Sequence, residues 1–345
     1  MTFYQEIHQQ PEVLQRIIDE QWSPIQTVAR IIRQKDIRYV FLAARGSSDN
    51  AGLYAKYLLG SVNRLPIALA APSLFSIYET APRLRDCLVM GISQSGKSPD
   101  IVQVVQEGRN QGQLTLAISN DTNSPLAISA DHVIDLSAGE EKAVAASKTY
   151  TAQLMVIALL SAALSGEEDK LAEIQRLPEL ASRVLQLDES IQHQSERYAY
   201  MEQCVVLGRG YNYSSAYEWA LKLKELCYVT AEPYSSADFQ HGPIALLEHQ
   251  FPILAVMPEG KVYADMLTHI REMKQRQHTE LVVLSNMEEA LQLGHTALRL
   301  PVVVPEWLSP ILSIIPAQLF CYHLTKAKGF DPDTPRGLRK VTETW

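Results

Sequence analysis

The chain has 345 residues, 46% of them hydrophobic and 20% charged, which is the make-up of an ordinary globular protein with apolar material for about two domain cores. Its net charge of −8 and pI of about 5.6 exclude the global positive field that would gather nucleic acid or an anionic membrane. The start, Met1-Thr2-Phe3-Tyr4-Gln5-Glu6, lacks a basic, apolar leader, and the apolar stretch 154–164 is far short of the roughly 20 residues of a membrane span, so a soluble cytoplasmic protein is expected.

In chain order, the first 36 residues read as helix, because Ile7, Val13, Ile17 and Ile18 fall near a helical period and Val28, Ile31 and Ile32 resume it after Pro24. Short apolar runs at 38–44, 67–71, 87–92, 114–119 and 132–136 then alternate with amphipathic segments. That alternation predicts a parallel sheet covered by helices on both faces. The pattern returns about 165 residues later, an offset that suits a duplicated domain. Val205-Val206-Leu207-Gly208-Arg209-Gly210 echoes the first run, 251–257 the third, and Leu281-Val282-Val283-Leu284-Ser285-Asn286 the fourth. The charged stretch 166–200 reads as a helical linker between domains at 37–165 and 201–326. Residues 327–345, with Pro332, Pro335 and Gly337, read as an irregular tail. Cys87, Cys204, Cys227 and Cys321 lie far apart in apolar surroundings and are expected to be buried and reduced.

Ser93-Gln94-Ser95-Gly96-Lys97-Ser98-Pro99-Asp100 stands where a buried strand stops and a helix starts. Pro99 suits the first helical turn, and the helix N-terminus offers unpaired N–H groups with hydroxyls around them. Such a loop can hold a phosphate, although a serine-capped turn has the same composition; it lacks the spacing of a Walker loop. Arg45-Gly46-Ser47-Ser48 follows another strand of the same sheet, so both loops can converge at the carboxyl edge, where open parallel sheets bind ligands. The matching positions of the second half, Pro258-Glu259-Gly260, carry no serine.

In the second half, Glu218, Lys222 and Glu225 are spaced i, i+4 and i+7 and share one helix face. Taken alone, such charges usually form a solvated ladder. His241, between Asp238-Phe239-Gln240 and Gly242-Pro243, has the polar setting of a proton shuttle, whereas surface or core roles suffice for the other eight histidines. No His, Cys, Asp or Glu group has metal-ligand spacing, and no Gly-x-Ser-x-Gly elbow is present.

Together, Ser93-Gln94-Ser95-Gly96, Glu218-Trp219-Ala220-Leu221-Lys222-Leu223-Lys224-Glu225, His241-Gly242-Pro243 and Pro335-Arg336-Gly337-Leu338-Arg339-Lys340 resemble the sugar isomerase (SIS) domain family, in particular the isomerase half of glucosamine-6-phosphate synthase. Gln5-Glu6-Ile7 with Gln10-Pro11 resembles the segment that opens that half. The resemblance does not extend to a glutaminase domain with an N-terminal cysteine nucleophile, so release of ammonia from glutamine is not expected. Arg45-Gly46-Ser47-Ser48-Asp49, Lys97-Ser98-Pro99, residues 140–148 (Glu140-Glu141-Lys142-Ala143-Val144-Ala145-Ala146-Ser147-Lys148) and Gly337 to Thr342 look instead like stand-alone SIS-type glucosamine-6-phosphate deaminases.

The resemblance implies two duplicated SIS domains, each a flavodoxin-like parallel sheet between helical layers, with the tail closing the site. It implies that Ser47, Ser48, Ser93, Gln94, Ser95 and Ser98 hold the phosphate and sugar hydroxyls, and that Val144, Ala145 and Ala146 give backbone contacts. His241 would open the pyranose ring in the neighbouring subunit's site of a homodimer. Glu225 would move a proton between C2 and C1, with Lys222 as supporting cation, and Lys340 would close over the open-chain sugar. Lys97 and Lys142 would add positive charge for the sugar phosphate. The implied reaction turns glucosamine 6-phosphate into fructose 6-phosphate and ammonia with no cofactor or metal. Other uses of the scaffold stay open: an aldose–ketose isomerase, a fructosamine-phosphate deglycase, a galactosamine-6-phosphate deaminase, or a sugar-phosphate-sensing regulator.

Overall fold

The apolar runs of the first half become strands β1 (Tyr39–Ala43), β2 (Ile67–Leu69), β3 (Cys87–Ser93), β4 (Leu114–Ser119) and β5 (His132–Asp135). All pair in parallel, in the order β2-β1-β3-β4-β5. The central strands β3 and β4 are buried at every residue, as a sheet covered on both faces requires. The second half builds β6 (Gln203–Gly208), β7 (Thr230–Ser235), β8 (Pro252–Val256), β9 (Glu280–Ser285) and β10 (Thr296–Arg299), again all parallel. Its order, β10-β9-β8-β6-β7, is the same topology read from the other edge, so the duplication extends to strand connectivity.

The computed structural model describes residues 1–340; Val341 and Thr342, named above with the tail, lie outside the described residues. The chain divides into two units. One holds the first sheet and comprises Gln9–Lys142, Ala146–Pro178 and, from the tail, Arg339 and Lys340. The other holds the second sheet and comprises Met1–His8, Ala143–Ala145 and Glu179–Leu338.

In the first unit, the helix Gln10–Gln34 buries Val13, Leu14, Ile17, Ile25, Val28 and Ile32 and packs along the helix Lys148–Ser165. The latter is buried on all sides, which explains why its sequence is apolar throughout rather than striped. In the second unit, the helix Ser309–Ala327 has the same character. Glu306–Ala327 is long and apolar enough to cross a membrane, but its most apolar window is 89% buried within the protein, as in a core helix. The segment 166–200 is helical at Glu168–Gln175, Leu177–Leu185 and Asp188–Glu196, and residues 328–340 form neither helix nor strand. All four cysteines are buried and unpaired.

Two strands escape the sequence pattern. β7 contains Pro233, which a central strand rejects, but β7 lies at the sheet edge where a missing N–H is tolerated. β10 is only four residues long, at the opposite edge.

Candidate active site

In the first unit, strand order reverses between β1 and β3, because β2 lies on one side of β1 and β4 and β5 lie beyond β3. The crevice at the carboxyl ends of these two strands is where this topology binds ligands. The chain leaves β1 into residues 44–48 and β3 into residues 93–98, so both serine-rich loops open on that crevice.

The loops are tied together by an ion pair. Asp100 is fully buried in the first turn of the helix Pro99–Asn110, and its Oδ2 accepts from both Nε and Nη2 of Arg45, each at 2.8 Å. A buried carboxylate needs such a partner. Arg45, half-exposed, thereby fixes the spacing of the two loops.

Within the loops the serine hydroxyls accept from neighbouring donors. Ser93 Oγ accepts the Gly96 N–H at 3.1 Å, Ser95 Oγ accepts the Lys97 N–H at 3.3 Å, and Ser48 Oγ accepts Gln153 Nε2 at 2.9 Å. A serine that accepts in this way retains its own proton to donate. Ser98 occupies the N-cap of the helix Pro99–Asn110 without a side-chain cap bond, which leaves its hydroxyl for a ligand. Gln94 and Ser95 are half-buried and Lys97 is exposed.

Gly96 makes this turn possible. Its φ is +62°, and a Cβ there would stand 2.0 Å from Ser124 Oγ and 2.9 Å from Ser119 Oγ. Gly96→Ala is therefore expected to cost about 2–4 kcal/mol, from the left-handed backbone plus overpacking, and to weaken inhibition by inorganic phosphate. Chemical unfolding and an inhibition titration check both.

Lys340 also belongs to this unit. Its Nζ donates to Glu141 Oε2 at 2.6 Å. Glu141 is buried and further accepts the N–H groups of Ser147 (3.0 Å) and Thr149 (3.1 Å) and the Thr149 hydroxyl (2.8 Å) at the start of the helix Lys148–Ser165. Burial alone would raise the carboxyl's pKa, but Lys340 and the backbone donors outweigh it and hold it below the usual carboxylate value. A depressed pKa contributes stability that is present above the unfolded-state value and lost as pH falls through the folded-state value. Glu141→Gln should therefore lower unfolding free energy by ~2 kcal/mol at pH 7, and the deficit should shrink on acidification below the carboxylate range, as urea melts across pH would show.

In the second unit, the helix Tyr213–Cys227 carries the charged face, and it is no solvated ladder. Glu218 is 0% and Lys222 1% exposed, while Glu225 retains 24% exposure. Lys222 Nζ lies 3.3 Å from Glu218 Oε1 and 2.5 Å from Glu225 Oε2. Burial pulls the Lys222 pKa down, but the two carboxylates outweigh it and raise it above the ordinary lysine value. The helix Ser309–Ala327 provides the cover: Trp219 packs edge-on against Phe320, and Cys227 Sγ contacts the Cys321 carbonyl. The result is an ammonium locked between a buried carboxylate and an accessible one.

His241 is exposed on the turn after the helix Ser236–Phe239, with its N–H on the Asp238 carbonyl at 3.0 Å. Among the described residues no hydrogen bond joins it to Lys222 or Glu225. Val144 and Ala145 fall in the second unit, Ala146 in the first. Among the described residues no cluster of three or more His, Cys, Asp or Glu could hold a metal ion.

The profile of the SIS domain matches residues 31–163 and 200–327, one copy over each sheet. The chain belongs to the SIS domain family. Over 97% of its length it is 32% identical to the glutamine–fructose-6-phosphate aminotransferase (isomerizing) of Thermus thermophilus. It spans 57% of that relative, little more than half the length of the curated proteins it matches. Among solved structures, the C-terminal domain of glucosamine-fructose-6-phosphate aminotransferase from Francisella tularensis superposes with a TM-score of 0.86 at 28% identity, covering 96% of this chain and 98% of that one. The glucosamine-6-phosphate deaminase of Thermotoga maritima shares the fold, with a TM-score of 0.77 at 21% identity and full coverage (100%) of both chains.

In the second SIS copy the corresponding loop, without serines, is packed differently. At its own switch point Gly260 lies against Glu306, so close that a Cβ would fall 2.3 Å from Glu306 Cδ, and the Lys261 N–H donates to Glu306 Oε2 at 2.9 Å. A carboxylate of the chain itself thus lies against the turn that follows β8. Arg209, which follows β6 in this copy, is paired with Asp265.

Sequence reasoning did not single out Asp100 and Glu141 as the buried partners of Arg45 and Lys340. Asp100 carried a signal, an acid in the first helical turn directly after a phosphate-type loop. Glu141 carried none, since only the fold shows that its carboxylate is enclosed.

Proposed function

We propose that this SIS protein is an isomerising hexosamine-6-phosphate deaminase, acting on glucosamine 6-phosphate to give fructose 6-phosphate and ammonia. The observation that carries the reading is the buried Glu218–Lys222 pair presenting Glu225 at the accessible end of the array. A helix needs no such arrangement for stability, since buried ion pairs are weak stabilisers. A proton-transfer site does need a positioned carboxylate.

In this reading the hydroxyls of Ser48, Ser93, Ser95 and Ser98, with Ser47, Gln94 and the helix N-terminus, hold the phosphate. Lys97 adds charge at the rim. Val144, Ala145 and Ala146 bind the sugar through their backbone. Ring opening exposes the C1 aldehyde, which acidifies the C2–H bond. Glu225 removes that proton and returns it to C1, leaving an imine at C2. Water hydrolyses the imine, releasing ammonia and the ketose. The Lys222 ammonium stabilises negative charge that develops on the sugar oxygen. Lys340 exchanges Glu141 for the open-chain substrate when the tail closes.

His241 is assigned to ring opening in the site of a second copy. Its exposure leaves the imidazole available to a second copy, the basis for proposing a shared site in a homodimer. Localisation in the cytoplasm suits a sugar-phosphate substrate.

Support from the relatives is of one kind. The Thermus and Francisella relatives are both named for aminotransfer involving fructose 6-phosphate, the product proposed here. The test is ammonia release from a panel of hexosamine 6-phosphates, with Glu225→Gln as control. Release from the glucosamine epimer, strongly slowed in the control, supports the reading. Interconversion of glucose and fructose 6-phosphates with no ammonia from any panel member makes the protein an aldose–ketose isomerase instead.

A further inference from the structure

The Gln5-Glu6-Ile7 motif has no task in the reaction as described, yet it holds a costly feature. Glu6, on the helix Phe3–His8, is fully buried. A carboxylate is tolerated there only when donors meet its oxygens. Among its partners is the Ala143 N–H, at 3.2 Å from Oε2 and 3.4 Å from Oε1. Ala143 begins the Ala143–Ala145 segment of the same unit, which has no helix or strand of its own. Its Ala143 and Ala145 side chains are buried, at 4% and 1% exposure, while Val144 is half-exposed between them. A segment outside any ladder relies on side chains to satisfy and orient its amides.

The helix that carries Glu6 is only six residues long, too short to be stable alone, and it is pinned from several directions. The Tyr4 hydroxyl donates to Asp188 Oδ2, and Asp188 Oδ1 is hydrogen-bonded to His323 Nε2 at 2.6 Å. His8 approaches the same carboxylate at 3.7 Å, and the Phe3 N–H donates to Asp333 Oδ1 at 2.6 Å. Asp188 thus fastens the N-terminal helix to the helices Asp188–Glu196 and Ser309–Ala327. Asp333 fastens it to the root of the tail that leads to Lys340.

We propose that Glu6 is a positioning residue: its buried carboxylate fixes the Ala143 amide and so holds Val144 and Ala145 in the backbone conformation that binds the sugar end of the substrate. This rests on the reading of the site as one for a hexose phosphate. It adds a residue remote from the reacting atoms that sets affinity for the sugar and leaves the phosphate anchor alone. The anchor is built by separate contacts, from Ser48, Ser93, Ser95 and the Arg45–Asp100 pair.

The test compares wild type with Glu6→Ala, Glu6→Asp and Glu6→Gln, with circular dichroism to check folding. Three readouts are used: affinity for fructose 6-phosphate, affinity for inorganic phosphate, and hydrogen exchange of the amides at 143–146. Glu6→Ala is expected to weaken fructose 6-phosphate about tenfold or more, the scale of one lost charge-assisted hydrogen bond. Inorganic phosphate should bind as before, and exchange at 143–146 should accelerate. Glu6→Gln, which keeps an acceptor oxygen, should recover most of the sugar affinity. Glu6→Asp, which keeps the charge but not the reach, should lose it, and it carries the test should Glu6→Ala not fold. Equal weakening of both ligands would mean general loosening and overturn the proposal, as would unchanged sugar affinity in Glu6→Ala and Glu6→Asp. Wild type that binds inorganic phosphate but no ketose phosphate would instead sink the reading of the site, and the role of Glu6 with it.

Discussion

Replacing Glu225 by glutamine is expected to slow ammonia release from glucosamine 6-phosphate by about 10²–10⁴-fold, the range for loss of a positioned acid–base group. The substitution is nearly isosteric, and the Glu225 side chain is 24% exposed, so the fold should survive it. Lys222 keeps its contact with Glu218 at 3.3 Å, so the ammonium stays anchored. Phosphate binding should also persist, because the serine loops belong to the other unit. The effect should therefore fall on kcat, with the inhibition constant of inorganic phosphate unmoved. An equal loss in binding and turnover would place Glu225 among the substrate anchors and remove it from the proton path.

Replacing Lys222 by methionine is expected to destabilise the protein by about 3–5 kcal/mol, the cost of leaving a partner charge buried without its counter-ion. The stranded group is Glu218, with 0% side-chain exposure. A double substitution, Lys222→Met with Glu218→Leu, removes both charges and should recover most of the stability, since apolar replacements of buried pairs are often neutral. It should not recover activity. Urea unfolding of the single and double variants, set beside their turnover, separates these outcomes. If Lys222→Met alone unfolds like wild type, the pair is solvated after all, as a charge ladder on a helix would be.

Those two residues also show how far the sequence can be read. Spacing alone placed Glu218, Lys222 and Glu225 on one face, and that holds. Their surroundings could not be read, because periodicity reports which side chains share a face and not what covers it. The cover comes from the helix Ser309–Ala327, distant in sequence, which packs on this helix through Trp219 against Phe320. The first sheet was more legible. Leu114–Ser119 forms β4 to the residue, since buried parallel strands are written as unbroken apolar runs. The edge strands β2 and β5 were read from their apolar runs, but β7 with its Pro233 and the short β10, at the edges of the second sheet, went unseen.

The loop at 93–98 was legible as composition but not as function, because a capped turn uses the same residues. The structure adds its geometry. Ser98 does not cap its helix, Ser93 and Ser95 accept from their own loop, and the strand order places the turn at the reversal point beside β1. The Arg45–Asp100 and Lys340–Glu141 pairs were invisible, since each joins residues far apart in sequence.

The most direct measurement of the central claim is the product balance from glucosamine 6-phosphate in D₂O, followed by NMR with an enzymatic ammonium assay. The account predicts one ammonium per fructose 6-phosphate formed, with the hydrogen gained at C1 delivered through Glu225, and conversion by Glu225→Gln slowed about 10²–10⁴-fold. Ketose formed without ammonium, or glucosamine 6-phosphate recovered unchanged while glucose 6-phosphate isomerises, would contradict it.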